Sequence, residues 1–181
     1  GSMPMTSVTP SRRDILLGTA AAALASAVSS HANAQAVRES VSAHFTIRNK
    51  RIRQSVMGWC FKPMPVPELI QHCADIGLEA IEGISPEFYP AAKAAGLKIS
   101  LVSSHGFASG PTDRANHEMC ASRLKWSIDT AVEFGAPSVI TFTGMTVKGM
   151  ADVTAEQNCL DCWKQVIEYA EEKQITLVLE H

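Results

Sequence analysis

The chain has 181 residues, of which 46% are apolar and 19% are charged, and its formal net charge at pH 7 is −2. This is an ordinary globular composition with enough apolar mass for one core, so we expect a single folded domain. Acidic and basic residues are interspersed, which excludes the basic stripe that binding to a phosphate backbone requires, and no nucleic-acid partner is expected.

The amino-terminal segment has the pattern of an export signal. Gly1–Met3 is typical of a cloning remnant, and the pair Arg12-Arg13 precedes an apolar, alanine-rich run over Ile15–Val28. Paired arginines before such a run are typical of a twin-arginine signal, and the run is too short to span a bilayer. An amphipathic helix is the alternative, but the run has no polar face. We therefore predict a periplasmic or otherwise exported protein with no membrane span once the signal is removed.

Small residues near the end of this segment set the expected domain boundaries. A signal peptidase can cut after Ala34 or Ala36, where small residues flank the bond. We predict that residues 1–36 are the cloning remnant and signal, that 37–51 is a linker, and that 52–181 is the folded domain.

Short apolar runs alternate with helical patterns from Ile52 onward, which is the signature of βα units and a parallel sheet. The runs are rich in Val, Ile and Leu without polar alternation, which indicates burial on both faces. Glycine can take the left-handed conformation that ends a helix, and it occurs at three predicted helix-to-strand joins, Gly77, Gly96 and Gly135. Strands are predicted over 52–61, 78–81, 97–102, 137–142 and 175–179.

Local signals predict how two of the helices begin. Ser85 can cap the exposed amides of a helix that starts at Pro86, and Thr154 with Gln157 has the spacing of a reciprocal capping box. Behind that box, four apolar residues recur at helical spacing and are expected to form one core-facing stripe. They are Leu160, Trp163, Ile167 and Ala170.

Cys159 and Cys162 form a Cys-x-x-Cys pair with two open interpretations. Such a pair can be redox-active or provide half of a zinc site. Because both residues lie within an amphipathic helical pattern and no second pair has ligand spacing, we interpret them as small buried apolar residues one turn apart.

The candidate site is expected at the carboxyl ends of the strands, where barrels of parallel strands place their chemistry. Glu180 is the strongest candidate, because a carboxylate at the end of an apolar run needs a cation or hydrogen bonds. A glutamate at a solvated rim, or a residue of an appended Leu-Glu-His tag, fits the residue type equally well.

Four further candidates lie at the ends of predicted strands or directly after them. His105 is a candidate for polarising a substrate carbonyl or for ligating a metal, although a hydrogen-bonded loop histidine is the commoner case. Trp59 and Phe61 are candidates for an apolar wall around a small substrate, and plugging of the core is the alternative. Glu82 is interpreted as a rim or capping carboxylate.

Four segments together resemble a known family: Arg53–Phe61, Asp75–Glu82, Gly135–Gly144 and Tyr169–Glu180. They are similar to the exported, hydroxypyruvate isomerase-like proteins of the xylose isomerase-like barrel superfamily, and the likeness extends from Ile52 to the end of the chain. The resemblance implies an α/β fold, a (β/α)₈ TIM barrel, of which the first five strand-helix units are present. It is diffuse and contains no short diagnostic motif.

The resemblance implies a metal-dependent isomerisation of a small carbonyl compound through an enediolate, with hydroxypyruvate to tartronate semialdehyde as the namesake reaction. In that family the glutamate ending the fifth strand is a metal ligand and a candidate proton-transfer group, and it matches Glu180. Oxygen ligands favour magnesium or manganese, with zinc as the alternative. The match also suggests that His181 is native rather than part of a tag.

The family takes its remaining metal ligands and its second catalytic glutamate from strands six to eight. The chain is therefore expected to be the amino-terminal part of an isomerase, with an incomplete barrel that is inactive alone. Two alternatives stay open: a sugar or polyol epimerase of the same superfamily, and a non-catalytic binding module whose partial barrel pairs with another chain. The open edges of the first and fifth strands favour such association, including a homo-oligomer.

Overall fold

The computed structural model describes residues 45–180. The predicted export signal, part of the predicted linker, and His181 lie outside these residues. Five strands are present: β1 (Ser55–Met57), β2 (Ala80–Glu82), β3 (Lys98–Ile99), β4 (Ser138–Phe142) and β5 (Thr176–Glu180). Five α-helices connect them: α1 (Val66–Ile76), α2 (Tyr89–Ala94), α3 (His117–Phe134), α4 (Asp152–Trp163) and α5 (Ile167–Glu172).

The strands pair in chain order, and every pair is parallel. β1, β2 and β3 form one sheet, and β4 with β5 forms another. A parallel bridge between Val102 and Val139 connects the two sheets. Its hydrogen bonds run from Val102 N to Ser138 O and from Ile140 N to Val102 O, both at 3.0 Å. The prediction of the first five strands of a parallel α/β barrel is confirmed.

Helix ends follow the glycine signal. Gly77, Gly96 and Gly135 all adopt positive φ, at 84°, 86° and 72° respectively. This conformation closes each helix and turns the chain into the next strand, because glycine has no Cβ to clash there. Among residues 45–180, none of the helices combines the length and the apolarity that crossing a bilayer requires.

The core lies between the strands and the helices, on what we call the outer face of the sheets. Ile81, Ile99 and Val139 point to this face and pack with Leu124 and Ile128 of α3 in one buried cluster. Successive strand residues alternate between faces, and residues in register in a parallel pair share a face.

The opposite side, the inward face, is defined by the remaining strand positions and by Ser100, two residues beyond Lys98. Its residues are Ser55, Met57, Ala80, Glu82, Lys98, Ser100, Ser138, Ile140, Phe142, Thr176, Val178 and Glu180. Polar and charged side chains are therefore concentrated on the side away from the helices.

Two predicted strands are shorter than expected. The first predicted strand ends at Met57, and Gly58–Phe61 forms a 3₁₀ turn instead. Trp59, Cys60 and Phe61 therefore lie after the strand rather than in it. The third strand is regular only over Lys98–Ile99, with Val102 making the later bridge.

The predicted helix starts also need correction. The side chain of Ser85 makes no capping hydrogen bond, and a 3₁₀ turn precedes α2. Helix α4 begins at Asp152 behind Ala151, so Thr154 lies inside the helix and the predicted capping box does not form.

Two of the four residues in the predicted core stripe do not face the core. Leu160 and Ile167 are exposed, while Ala170 is buried as expected. The periodicity is interrupted because α4 ends at Trp163 and α5 restarts at Ile167 after a turn. Other residues of this region are buried instead: Asn158, Cys159 and Cys162 on another face of α4, and Val166 in the turn before α5.

Candidate active site

The carboxyl ends of the strands place two glutamates on the inward face. Glu82 ends β2 and is in register with Met57 of β1. Glu180 ends β5 and is in register with Phe142 of β4. Both carboxylates therefore lie on the side of the sheets that faces away from the helices, at the end where parallel barrels carry their catalytic groups.

Glu82 is held between its two neighbouring strands. The hydroxyl of Ser55 on β1 donates to Glu82 Oε1 at 3.1 Å, and the hydroxyl of Ser100 beyond β3 donates to Glu82 Oε2 at 2.8 Å. The side chain is partly buried. This position corrects the interpretation of Glu82 as a rim or capping carboxylate, because both donors belong to the inward face. The sequence offers one signal for this arrangement, a serine in each of the two predicted strands that flank the strand of Glu82.

Glu180 occupies the position predicted for it, at the last residue of β5. Its side chain is exposed. The strand extends one residue further than predicted, so Glu180 belongs to the sheet and does not simply follow it. Its metal-ligand and catalytic roles stay predictions.

Trp59 lies over the junction of β1 and β2. Gly83 has φ +64°, and a Cβ at this position would lie 2.1 Å from Met57 Sδ and 3.2 Å from Trp59 Cδ1. Glycine is therefore required here, and it lets the indole approach the end of β2. Trp59 and Phe61 are 61% and 42% exposed, so neither plugs the core. The position of Trp59 next to Gly83 is compatible with the predicted apolar wall.

Phe107 is an aromatic residue that the sequence patterns did not single out. Its ring meets Phe142 of the inward face edge-on, with centroids 5.9 Å apart. The phenyl ring of Phe107 is 43% exposed. A second apolar element therefore stands at the mouth of the strands, on the side of β4.

His105 is buried between Thr141 and Phe142 at the end of β4, and its ring meets that of Phe142 edge-on with centroids 5.9 Å apart. Its ring is 3% exposed, Nε2 is 3.0 Å from Thr141 Oγ1, and Nδ1 is 3.3 Å from Gly106 O. Thr141 points to the outer face, where it also accepts a hydrogen bond from Trp163 Nε1 at 3.0 Å. Burial lowers the pKa of His105 below its ordinary value of 6.5. The ring thus tethers a loop to β4, and its predicted substrate-binding role stays a prediction that this geometry does not favour.

The loops after β3 and β4 cross in backbone contact. A Cβ on Gly110 would lie 2.4 Å from Gly144 Cα, and one on Gly144 would lie 2.6 Å from Gly110 Cα. Thr112 strengthens the crossing, because its amide and its hydroxyl both donate to Thr143 O, at 2.9 Å and 2.7 Å. The two loops are fixed relative to each other at the end of the barrel that carries the candidate site.

The metal expected from the family resemblance finds one suitable ligand among the described residues. Glu180 offers the hard oxygen that magnesium or manganese prefers. Over residues 45–180, however, no three His, Cys, Asp or Glu side chains come together as a metal-binding group. Glu82 is already engaged with two hydroxyls, and the ring nitrogens of His105 are engaged with Thr141 Oγ1 and Gly106 O. The described part of the chain does not form a metal site by itself.

The two cysteines of the Cys-x-x-Cys pair are small buried residues, as the helical pattern predicts. Cys159 and Cys162 are buried and unpaired. Burial raises the pKa of the Cys162 thiol to about 11, and that of its neighbour Cys120 on α3 to about 12. A raised pKa keeps a thiol protonated and therefore a poor nucleophile at neutral pH. Burial of Cys159 and Cys162 agrees with their interpretation as small apolar residues.

Comparison with known proteins gives a family match over most of the domain. The family model described as "Xylose isomerase-like TIM barrel" matches residues 70–181. No curated protein matches the chain.

Solved structures with similar folds include an AP endonuclease of family 2 from Brucella melitensis, with 13% identity and a TM-score of 0.58 over 66% of this chain and 50% of that one. The 3-keto-D-glucoside 4-epimerase from E. coli has 14% sequence identity and a TM-score of 0.55, and the match covers 70% of this chain and 54% of that one. A D-psicose 3-epimerase from Clostridium cellulolyticum H10, crystallised with D-tagatose, has 9% sequence identity and a TM-score of 0.57. The match covers 71% of this chain and 52% of that one. At these identities the likeness shows the fold alone, and the chain spans about half the length of these proteins.

Proposed function

The chain belongs to the xylose isomerase-like TIM barrel family, and on that premise we propose that it is the amino-terminal part of a metal-dependent isomerase or epimerase. Its substrate is a small hydroxy-carbonyl compound, and the reaction removes a proton from a carbon next to the carbonyl to form an enediolate. A proton then returns to the neighbouring carbon in isomerisation, or to the same carbon from the opposite face in epimerisation. The observation that carries the proposal is the presence of Glu180 on the inward face, at the carboxyl end of a parallel strand, in register with Phe142.

Glu180 is assigned the proton-transfer role. An exposed carboxylate at the mouth of parallel strands can accept a proton from a carbon next to a carbonyl and return it to the neighbouring carbon. The aromatic rings of Trp59 and Phe107 are apolar surfaces beside the strand ends, and they would limit the access of water to the reacting carbons.

The metal is part of the proposal for the whole protein. A bound divalent cation, magnesium or manganese with zinc as the alternative, would polarise the substrate carbonyl. Glu180 is the described residue assigned as one of its ligands.

Two reactions fit this proposal. Isomerisation of hydroxypyruvate to tartronate semialdehyde follows from the sequence resemblance. Epimerisation of a sugar is favoured by a separate observation, the carboxylate of Glu82 held by two serine hydroxyls on the same face, since hydroxyl-rich ligands need hydrogen-bond acceptors.

A non-catalytic module remains the competing class. The described β1 and β5 each pair with one neighbour, and such edges can recruit another chain. Sedimentation of residues 37–181 tests this directly, because a monomer at all concentrations removes the basis for a module completed by pairing.

The decisive experiment is the replacement Glu180→Gln in the full-length parent protein. Loss of the carboxylate is expected to lower kcat by about 100-fold or more with hydroxypyruvate or a ketose, because general base catalysis typically contributes that much. Product formation is followed by proton NMR in D₂O, which also reports exchange at the carbon that loses its proton. Glu168→Gln, an exposed glutamate on α5, is the matched control and should retain full activity. Unchanged turnover in Glu180→Gln would remove the assignment.

Export is likewise proposed for the parent protein. Replacing Arg12 and Arg13 by lysine is expected to abolish transport through the twin-arginine route. Fractionation of cells expressing the tagged protein measures this, and a periplasmic signal unaffected by the double replacement would contradict it.

A further inference from the structure

We propose that Glu82 determines the substrate class of this site. It accepts hydrogen bonds from the hydroxyl groups of a neutral polyhydroxy carbonyl compound, and it disfavours substrates that carry a carboxylate, such as hydroxypyruvate. The inference rests on the proposed function, because it concerns the substrate of the same inward face.

The first step is the fixed position of the Glu82 carboxylate. Each of its oxygens accepts one serine hydroxyl, from Ser55 at 3.1 Å and from Ser100 at 2.8 Å. A carboxylate oxygen can accept two hydrogen bonds, so each retains one free acceptor position. Because donors on both neighbouring strands hold the group, the free positions keep a constant direction, as hydroxyl recognition requires.

The second step is the chemistry of those free positions. An ionised carboxylate only accepts hydrogen bonds, and hydrogen bonds to a charged acceptor are stronger than those between neutral groups. Two oxygens of one carboxylate can receive both hydroxyls of a vicinal diol. A compound with several adjacent hydroxyls therefore matches Glu82, whereas a three-carbon keto acid has a single hydroxyl to offer.

The third step is the charge of the inward face. Glu82 and Glu180 both end strands there, and like charges in a partly buried site repel an anionic ligand. Within the five described strands, lysine occurs at position 98, and its Nζ lies 2.7 Å from Glu79 Oε1. Lys98 is in register with Ala80, at the start of β2, so its charge is already paired at the end away from the two glutamates.

The alternative, a glutamate that merely ties the strands together, makes a different prediction. A purely structural Glu82 would affect stability without discriminating between ligands. A specificity residue changes the binding of hydroxyl-rich and carboxylate-bearing ligands in opposite directions. The comparison between two ligands therefore separates the two roles.

The test uses the full-length parent protein and two probes, xylitol as a neutral polyol and hydroxypyruvate as an anionic keto acid. Glu82→Gln is expected to weaken xylitol binding by about tenfold or more in calorimetry, with an equal rise in KM for D-xylulose and little change in kcat. KM for hydroxypyruvate should stay unchanged or fall. Glu168→Gln, at an exposed position of α5, is the control, because it removes a carboxylate from the helical layer, leaves the pair of Lys98 with Glu79 intact, and should leave both ligands unaffected.

A second variant guards against misfolding. Ser100→Ala keeps the carboxylate and frees its Oε2, so xylitol binding should weaken by a smaller factor than in Glu82→Gln. Equal xylitol affinity, within twofold, in either folded variant and the wild type would overturn the inference. If the wild-type protein binds xylitol through Glu82 but isomerises none of the compounds, the proposed function fails and the role of Glu82 stands. If the protein isomerises a substrate with no dependence on Glu82, the reverse conclusion follows.

Discussion

The two faces of the strands differ in how far other parts of the described chain cover them. The outer face is closed: Ile81, Ile99 and Val139 are buried under helices that the intervening chain provides. The inward face carries Glu82 and Glu180, with partly exposed side chains around them. Local connections are sufficient to cover the outer face, whereas the inward face of a barrel is filled only by side chains from strands across the barrel. Stability therefore depends mainly on one face, and the candidate chemistry lies on the other.

The largest effect is expected at the crossing of the two loops, where the backbones approach most closely at the end of the strands that carries the candidate site. Gly144→Ala would force a side chain into φ +98° and place its Cβ 2.6 Å from Gly110 Cα. Strain and overpacking together should lower the free energy of unfolding by about 2–5 kcal/mol, measured by urea denaturation. Gly96→Ala is the matched control, because its φ is +86° but no atom lies within 4 Å of the added Cβ. Equal losses in the two variants would mean that the loop contact contributes nothing.

The next effect compares the two faces directly with one residue type. Val139 of β4 points outward and is fully buried, whereas Val178 of β5 points inward and is partly exposed. Val139→Ala should lower the free energy of unfolding by about 2–3 kcal/mol, and Val178→Ala by about 1 kcal/mol or less. In a longer protein that fills the inward face, the second value should rise towards the first. Similar losses in the 181-residue chain would contradict the contrast between the faces.

The smallest effect is a pH dependence from the buried His105. Burial lowers its pKa below 6.5, so the unfolded chain binds a proton at a higher pH than the folded one. The contribution of neutral His105 to stability is complete above about pH 6.5 and is lost as the pH falls towards the folded-state pKa. His105→Gln should flatten the stability curve in that window, measured by thermal unfolding at pH 5 to 8. The exposed His72→Gln serves as its control, and a slope unchanged in His105→Gln would refute the assignment.

Sequence patterns predicted the part of the fold that local physics decides. The prediction that Gly77, Gly96 and Gly135 end helices is confirmed, because positive φ at a helix end depends on the residue itself. Apolar runs predict the parallel strands and the position of Glu180 at the end of β5. The burial on both faces that the same runs predict is not found in residues 45–180, because the inward face carries Glu82, Lys98 and Glu180 and is partly exposed.

Other features depend on contacts between distant segments. His105 looked like a site residue because it follows a strand, but its ring bonds to Thr141, 36 positions away. Glu82 looked like a rim carboxylate because the two serines that hold it lie 27 and 18 positions away. Leu160 fits a helical stripe that the break after Trp163 interrupts. In each case the partner, and not the residue, decides the role.

The reactivity of the buried thiols can be used to measure how often the helical layer of this protein opens. Cys60 is exposed and Cys120 and Cys162 are buried with strongly raised pKa values. A thiol-specific reagent added at neutral pH should label Cys60 at once and the other two only when α3 separates from α4. The rate of that slow labelling measures how often the helical layer opens without denaturant, and its response to an added ligand would show whether the inward face and the helical layer are energetically coupled.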